Sequence, residues 1–140
     1  MKKILIAYDG SDYAKKAVSE GKKLAGIFSS ELIILYVSSL HDSPNIYAGT
    51  YMQSNIKEET KDGDKIVNEC LADFKDFNSN VKGYVEDGDP ASKIVEVAEK
   101  EGADLIILGS RGLSGVRRLF LGSVSSKVVN HAHISVLVVK

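Results

Sequence analysis

Short, continuous runs of hydrophobic residues recur along the chain. Between them lie longer stretches in which apolar residues return every three or four positions. The runs are ILIAY at 4–8, ELIILYV at 31–37, a weaker VKGYVEDG at 81–88, ADLIILGS at 103–110 and SVLVVK at 135–140. Uninterrupted apolar runs of this length are typical of strands that are buried on both faces of a sheet. The pattern therefore predicts five strands.

The stretches between these runs carry the start and stop signals of helices. Ser11 is a good N-cap for a first helix, which Gly26 is expected to end. A second helix is predicted to begin in the late fifties. A third is predicted to begin at Asp89-Pro90, with proline in the first turn, and to end at Gly102. The fourth is expected to run from about Ser123 to His131.

Each predicted helix has one apolar face, as expected of helices that pack against a sheet. Strands and helices alternate in the order β-α-β-α-β-α-β-α-β, which predicts one α/β domain over residues 1–140, with a parallel sheet covered on both faces. The stretch 38–55 is polar and turn-rich and is expected to be a long excursion. The predicted helix faces consist of Ala14, Ala17, Val18, Gly21 and Ala25; Ile66, Val67, Cys70, Leu71 and Phe74; Ala91, Ile94, Val95 and Ala98; and Val124, Val128 and Val129.

Composition narrows the classes of protein to consider. With 140 residues, 44% of them hydrophobic, the chain can bury one ordinary core. A formal net charge of −1 gives no general attraction to nucleic acid or to an anionic membrane. No apolar run approaches the roughly 18 residues of a membrane span. Cys70 is the only cysteine, so no disulfide can form within the chain, and we expect a cytoplasmic location.

The residues that could bind a ligand lie where the predicted strands end. In open α/β sheets, ligands bind beyond the carboxyl ends of the strands. Three segments should meet there: 9–11 after the first strand, 37–39 after the second, and the glycine-rich stretch 109–128 after the fourth. Asp9 has two interpretations, as a turn or capping residue and as a carboxylate that accepts hydrogen bonds from ribose hydroxyls.

The glycine-rich stretch, GSRGLSGVRRLFLGSVSSKV, is neither a P-loop nor the G-x-G-x-x-G dinucleotide fingerprint. Gly122 and Ser123 would open the fourth helix, and the free N–H groups at a helix N-terminus favour an anion. The hydroxyls of Ser125 and Ser126 add further hydrogen-bond donors, so phosphate oxygens are suitable acceptors. The alternative is a surface loop that contains glycine and a solvated pair of arginines, Arg117 and Arg118.

The spacing of these glycines resembles a known motif. Gly109-x2-Gly112-x9-Gly122-Ser123 is similar to the nucleotide motif G-x2-G-x9-G-[S/T] of the universal stress protein family. KKILIAYDGSDYAKKA at 2–17 resembles the first strand and turn of that family, and HAHISVLVVK at 131–140 resembles its last strand. The resemblance covers the whole chain. It implies an open sheet in the order 3-2-1-4-5, a fold of the Rossmann-like, adenine-nucleotide alpha-hydrolase-like type, and the ATP-binding branch of the family.

The resemblance also implies roles for particular residues. Asp9 would hold the ribose, Ala7 would lie near the base, and Val37 would offer its backbone to adenine. Mg²⁺ or Mn²⁺ would accompany ATP, held mainly by the phosphates. Some family members have proline at the positions of Ala7 and Ser135, which leaves the fit around adenine less defined. The ribose and phosphate path would be lined by Gly109, Gly112, Gly122, Ser123, Val124 and Ser125, with Arg111, Arg117 and Arg118 either reaching the phosphates or staying in solvent.

Two functions of different classes follow. The first is a regulatory module of the stress response that changes state with bound ATP. It would be a homodimer paired through the C-terminal strand around Val136–Val138. The second is a slow ATP hydrolase or phosphotransferase that needs a partner, because no dedicated base or charge clamp is evident. A receiver-like signalling domain fits the element order, but Asp9 is followed by Gly10, which leaves no acidic pair after the first strand.

Overall fold

The computed structural model describes residues 1–39, 62–112 and 121–140. Strands and helices alternate as predicted along these residues. The five strands are β1 (Lys3–Ala7), β2 (Glu31–Ser38), β3 (Val81–Asp87), β4 (Leu105–Gly109) and β5 (Ser135–Val139), and the helices are α1 (Asp12–Phe28), α2 (helical over 62–72 of the described residues), α3 (Pro90–Glu101) and α4 (Ser123–His131).

The five strands form one open parallel sheet in the order β3-β2-β1-β4-β5. Strand β1 lies in the middle, where Ile6 pairs with Ile34 of β2 and with Ile107 of β4. The chain first builds the sheet outward from β1 to β3 and then returns to add β4 and β5 on the other side. The direction of winding therefore reverses between β1 and β4, which is where open α/β sheets bind ligands. The predicted fold class and strand order are confirmed.

The sheet separates two hydrophobic clusters, because successive side chains of a strand point to opposite faces. On the α1/α2 face, Ile4 and Ile6 pack with residues of α1 and α2. On the α3/α4 face, Leu5 packs with residues of α3 and with Val128 of α4. Since β1, β2 and β4 are covered on both sides, both sets of their side chains must be apolar. This accounts for the continuous hydrophobic runs in the sequence.

The helix N-caps were predicted correctly. The Ser11 hydroxyl accepts a hydrogen bond from the backbone N–H of Ala14 at 3.1 Å, and the Asp89 carboxylate accepts one from the backbone N–H of Ser92 at 3.0 Å. The Ser92 hydroxyl also donates to Asp89, at 2.7 Å. These bonds to the ionised form hold the pKa of Asp89 below its ordinary value. At the other end of α3, Gly102 adopts the left-handed conformation with φ of 68°, as predicted.

Two predicted helix features are wrong. Gly26 does not end α1. The helix continues to Phe28, and Ser29 takes the left-handed cap with φ of 54°, its N–H donating to the Ala25 carbonyl. Val129 does not pack against the core, because 44% of it is exposed on the outer side of α4.

Smaller differences concern α3 and the end of β2. Val97 of α3, absent from the predicted face, is buried, whereas Val95 is only partly buried. Strand β2 includes Ser38, which is buried, so the polar excursion begins later than predicted. Most of that excursion, and the predicted start of α2, lie outside the described residues.

Two further observations concern individual features of the described chain. Cys70 is buried in the cluster on the α1/α2 face, where loss of hydration raises the pKa of its thiol to about 11. It is a core residue, as predicted.

Within residues 1–39, 62–112 and 121–140, no helix is both long enough and apolar enough to cross a membrane.

Candidate functional site

A cleft of about 320 Å³ opens at the carboxyl ends of β1, β2 and β4, mainly on the α3/α4 face of the sheet. The sheet order places β2 on one side of β1 and β4 on the other, so the cleft spans the point where the winding reverses. All nine residues that the resemblance assigned to ATP line it. These are Ala7, Asp9, Val37, Gly109, Gly112, Gly122, Ser123, Val124 and Ser125.

The two sides of the cleft differ in chemistry. From β2 come Leu35 and Val37, and from the start of α3 come Pro90 and Ile94, all of them apolar. From the β4 side come Arg111, Gly112 and the first turn of α4, which offer charge, backbone N–H groups and hydroxyls. A ligand with an aromatic ring at one end and an anionic group at the other matches this division.

The two carboxylate oxygens of Asp9 have different surroundings. One carboxylate oxygen, Oδ1, accepts a hydrogen bond from the backbone N–H of Ser11 at 2.9 Å and so shapes the turn into α1. The other oxygen, Oδ2, faces Gly112 across the cleft. The turn role is thus observed, and the second oxygen is placed where it can accept a hydrogen bond from a ligand.

The three glycines of the motif face different neighbours. A Cβ at residue 109 would lie 2.6 Å from the Cβ of Tyr13 and 2.9 Å from its carbonyl carbon, so Gly109 allows α1 to pass close to the end of β4. A Cβ at residue 112 would lie 2.9 Å from Oδ2 of Asp9. At residue 122 the nearest atom would be the Ser110 carbonyl oxygen at 3.3 Å, which is a milder contact.

The start of α4 is tied to the end of β4 through one residue. The Ser110 carbonyl accepts the backbone N–H of Gly122 at 2.7 Å, and the Ser110 N–H donates to the carbonyl of Val139 at 2.7 Å. The Ser125 hydroxyl lies 3.0 Å from the same Ser110 carbonyl and 3.1 Å from that of Gly122. The hydroxyl proton of Ser125 is therefore used within the protein, and its backbone N–H is the donor left for a ligand.

The first turn of α4 offers backbone donors to the cleft. The backbone N–H of Ser126 already donates to the Gly122 carbonyl at 3.0 Å. The amides of Ser123, Val124 and Ser125 come before it and have no acceptor within the helix, as at any helix N-terminus. Gly122 occupies the N-cap and has no side chain to bond them. These three N–H groups suit an anion.

Arg111 is the predicted arginine that the structure describes. It lines the cleft, and its guanidinium carbon lies 5.9 Å from the centre of the Tyr13 ring. Its Nε is buried without a hydrogen-bond partner among the described residues. The predictions for Arg117 and Arg118 concern residues 113–120, which lie outside the described part of the chain.

Comparison with known proteins identifies the family. The family model described as "Universal stress protein family" matches residues 1–140. The chain belongs to the universal stress protein family. Universal stress protein MJ0531 of Methanocaldococcus jannaschii is 37% identical over 144 residues, which is 99% of this chain and 82% of the relative.

Solved structures of this family share the fold. The structure of MJ0577 from the same organism has a TM-score of 0.89 and 30% identity, and the match covers 99% of this chain and 95% of that one. A universal stress protein solved in complex with cAMP has a TM-score of 0.69 and 27% identity, with 99% and 95% covered.

Several residues that line the cleft of this universal stress protein were missed by sequence reasoning. Leu35 could have been found because it points to the same face of β2 as Val37, and Leu108 because it directly precedes Gly109 at the end of β4. Pro90 and Ile94 could not, because only the packing of α3 against β2 brings them to the cleft. Tyr8 also borders the cleft, and burial raises the pKa of its hydroxyl. The other missed lining residues are Ala14 and Tyr36, whereas Ser39 belongs to the segment 37–39 that was expected at this edge.

Proposed function

We propose that this universal stress protein binds ATP in the cleft and acts as a nucleotide-dependent regulatory module of the stress response, in the cytoplasm. One observation carries most of the proposal. Nine residues assigned to ATP from sequence alone, spread from Ala7 to Ser125, line a single cleft. The sheet order alone brings these segments to one edge; the support for a nucleotide is that this edge opens into a cleft with an apolar side and a side that offers backbone donors.

The cleft fits the parts of an adenine nucleotide. Its volume of about 320 Å³ lies within the range of ligand sites, roughly 300–1,000 Å³. Leu35, Val37 and Ile94 offer apolar surface for the base. The amides of the first turn of α4 provide donors for phosphate oxygens, and Oδ2 of Asp9 provides an acceptor for a ribose hydroxyl. The related protein solved with cAMP supports an adenine nucleotide as the ligand class.

A divalent ion would be held mainly by the nucleotide. Among the described residues, no group of three or more His, Cys, Asp or Glu side chains comes together to form a metal site. Mg²⁺ or Mn²⁺ bound with ATP would therefore take most of its ligands from phosphate oxygens and water, as Mg²⁺ commonly does. Its contribution would be to neutralise charge on the phosphate chain.

Regulation would work through differential binding. A ligand stabilises whichever conformation or assembly binds it more tightly, and it does so without chemistry. The cleft joins segments that are far apart in sequence, namely the turn after β1, the end of β2 and the start of α4. Occupancy of the cleft would therefore couple these segments.

Calorimetric titration with ATP, ADP and adenosine tests the proposal. We expect ATP to bind and adenosine to bind more weakly, because adenosine cannot use the amides of α4. Mass spectrometry of the small molecules released from freshly purified protein would identify the ligand that it carries from the cell. If ATP, ADP and adenosine all fail to bind at millimolar concentration, the proposal is wrong.

We expect the purified protein to hydrolyse ATP slowly at most. Asp9 is the one carboxylate among the described residues that line the cleft, and its Oδ1 is engaged with Ser11. Turnover with Mg²⁺ or Mn²⁺ near the ~10 s⁻¹ typical of enzymes would favour a hydrolase or phosphotransferase instead. The variant Asp9→Asn separates the roles: weaker ATP binding supports a contact with ribose, whereas normal binding with lost turnover indicates catalysis.

The proposal includes a homodimer formed through β5. This strand is at the edge of the sheet, and an exposed edge favours pairing with another chain. Val136 and Val138 also pack partly against the α3/α4 face, so a charged residue there affects both the core and the edge. We expect sedimentation equilibrium to give the mass of a dimer at micromolar concentration. Val138→Lys should shift it towards monomer, with Ser135→Lys at the exposed end of the strand as the control. A wild-type monomer would contradict this part.

A further inference from the structure

Arg111 has an unusual environment for a charged residue. Its side chain borders the cleft, its guanidinium lies over the ring of Tyr13, and its Nε is buried without a hydrogen-bond partner in the described part of the chain. Buried polar groups in proteins nearly always have a partner. Because Arg111 borders the cleft and the described residues leave a nitrogen of its guanidinium unpaired, this guanidinium is a candidate donor for a ligand.

Tyr13 lies next to the guanidinium of Arg111. The absence of a side chain at Gly109 lets the backbone of Tyr13 lie against the end of β4, where even a Cβ would come within 2.6 Å of the Cβ of Tyr13. The Tyr13 ring centre is 5.9 Å from the guanidinium carbon, which is within the range of a cation–π contact. Lys16 places a second cation 5.3 Å from the same ring.

The charges around the cleft give Arg111 a specific consequence. Among the described lining residues, Arg111 is the one cation and Asp9 the one carboxylate. With both present their charges cancel. Without Arg111 the described lining would carry a net negative charge, which repels a ligand in proportion to the ligand's own negative charge. Adenosine would not be affected, AMP would be affected moderately, and ATP most of all.

We propose that Arg111 is the residue through which the cleft selects for the length of the phosphate chain, with Tyr13 as its positioning residue. This rests on the proposed binding of an adenine nucleotide. The planar guanidinium presents its N–H groups as a fork that matches phosphate oxygens in a bidentate way. The amides of α4 would hold one phosphate, and Arg111 would favour the further negative charge of a di- or triphosphate.

Calorimetric affinities for ATP, ADP, AMP and adenosine at one salt concentration test the proposal. We expect Arg111→Gln to weaken ATP binding about tenfold to hundredfold, as for loss of a hydrogen bond to a charged group. The loss should be smaller for ADP, smaller again for AMP, and absent for adenosine. Arg111→Lys, which keeps the charge without the fork, should be intermediate. Lys15→Gln is the matched control, because Lys15 is exposed on α1 and its loss changes the net charge equally.

A double-mutant cycle tests the role of Tyr13. We expect Tyr13→Leu to weaken ATP binding severalfold when Arg111 is present and to have no effect in the Arg111→Gln background. Tyr13→Phe, which keeps the ring, should bind ATP as the wild type does. A purely structural role for Tyr13 would instead lower the affinities for ATP and adenosine alike in both backgrounds, which would overturn its assignment as a positioning residue.

The outcomes separate this inference from the proposed function. If the wild-type protein binds none of the four ligands, the proposed function fails before any variant is made. If the wild type binds ATP, but Arg111→Gln retains all four affinities or loses them equally, the nucleotide site stands and the inference about Arg111 is wrong. Melting temperatures of the variants, followed by circular dichroism, establish that each is folded.

Discussion

The two faces of the sheet are built from the same strands, but they differ at the carboxyl ends of those strands. On the α1/α2 face, α1 begins at Asp12, soon after β1 ends, and covers the sheet up to the strand ends. On the α3/α4 face, α3 begins at Pro90 and α4 at Ser123 beside the strand ends, and the cleft opens between the strand ends and these two helix starts. The strands contribute apolar side chains to both faces. The site therefore arises from the position at which a helix starts, and not from a difference between the strands.

Substitutions at two neighbouring residues of β4 test this comparison and should have the largest effects on stability. Ile107 is fully buried on the α1/α2 face, and Leu108 is buried on the α3/α4 face but borders the cleft. We expect Ile107→Ala to lower the free energy of unfolding by about 2–5 kcal/mol. Leu108→Ala should cost less, because the space left behind joins the cleft and can admit water.

Urea denaturation of both variants measures the difference. Isoleucine and leucine side chains contain the same number of carbon atoms, so each substitution serves as the control for the other. An equal or larger loss in Leu108→Ala would mean that the α3/α4 face is closed as tightly as the other.

The glycines of the motif give the next largest effects, and the effects should be of different kinds. We expect Gly109→Ala to lower the free energy of unfolding by about 1–3 kcal/mol, as overpacking does, because the new Cβ meets Tyr13. Gly122→Val should leave the protein folded and weaken ATP binding greatly, since a Cβ at this position lies 3.3 Å from the Ser110 carbonyl oxygen and 3.4 Å from Cα of Arg111, and a larger side chain would displace the first turn of α4.

Chemical denaturation and calorimetry on both variants give the two readouts. Ser123→Ala is the mild control for binding, because it removes one hydroxyl and keeps the backbone donors. If Gly122→Val binds ATP as well as the wild type does, the start of α4 is not the phosphate site.

Substitutions at the N-caps of α1 and α3, one on each face of the sheet, should have the smallest effects on stability. Ser11→Ala and Asp89→Ala should each lower the free energy of unfolding by about 1 kcal/mol at pH 7. The pKa of Asp89 is lower in the folded protein than in the unfolded chain, so its ionised form stabilises the fold above the ordinary carboxyl pKa. That contribution is lost as the pH falls through the folded pKa.

Denaturation of both variants between pH 7 and pH 2 separates the two caps. The deficit of Asp89→Ala relative to the wild type should shrink in acid, whereas that of Ser11→Ala should stay constant because a serine hydroxyl does not titrate in this range. A deficit of Asp89→Ala that does not depend on pH would mean that its charge is unimportant for the cap.

Much of the fold could be predicted from sequence because its signals are local. The apolar runs located all five strands, and helical spacing found all five buried residues of the α1 face, from Ala14 to Ala25. The positions of the cleft residues could also be predicted from the sequence, since the carboxyl ends of parallel strands meet at one edge of the sheet.

The parts that could not be predicted depend on contacts between distant segments. Nothing near Gly26 indicates that Ser29 takes the left-handed cap, because this requires the chain to turn directly into β2. Val97 and Val129 lie at helical positions of similar local pattern, and only the way α3 and α4 pack decides which of them is buried. In the same way, the sequence suggested that Gly109 makes room for a ligand. In the structure, the atoms nearest to a Cβ built at this position belong to Tyr13.

Ser110 links three elements of the fold. Its carbonyl accepts the N–H of Gly122 and the hydroxyl of Ser125, and its own N–H bonds to β5. The end of β4, the start of α4 and the edge strand β5 are thereby tied together at one residue. A substitution that displaces the Ser110 backbone should therefore disturb the amides at the start of α4 and the pairing of β5 at the same time.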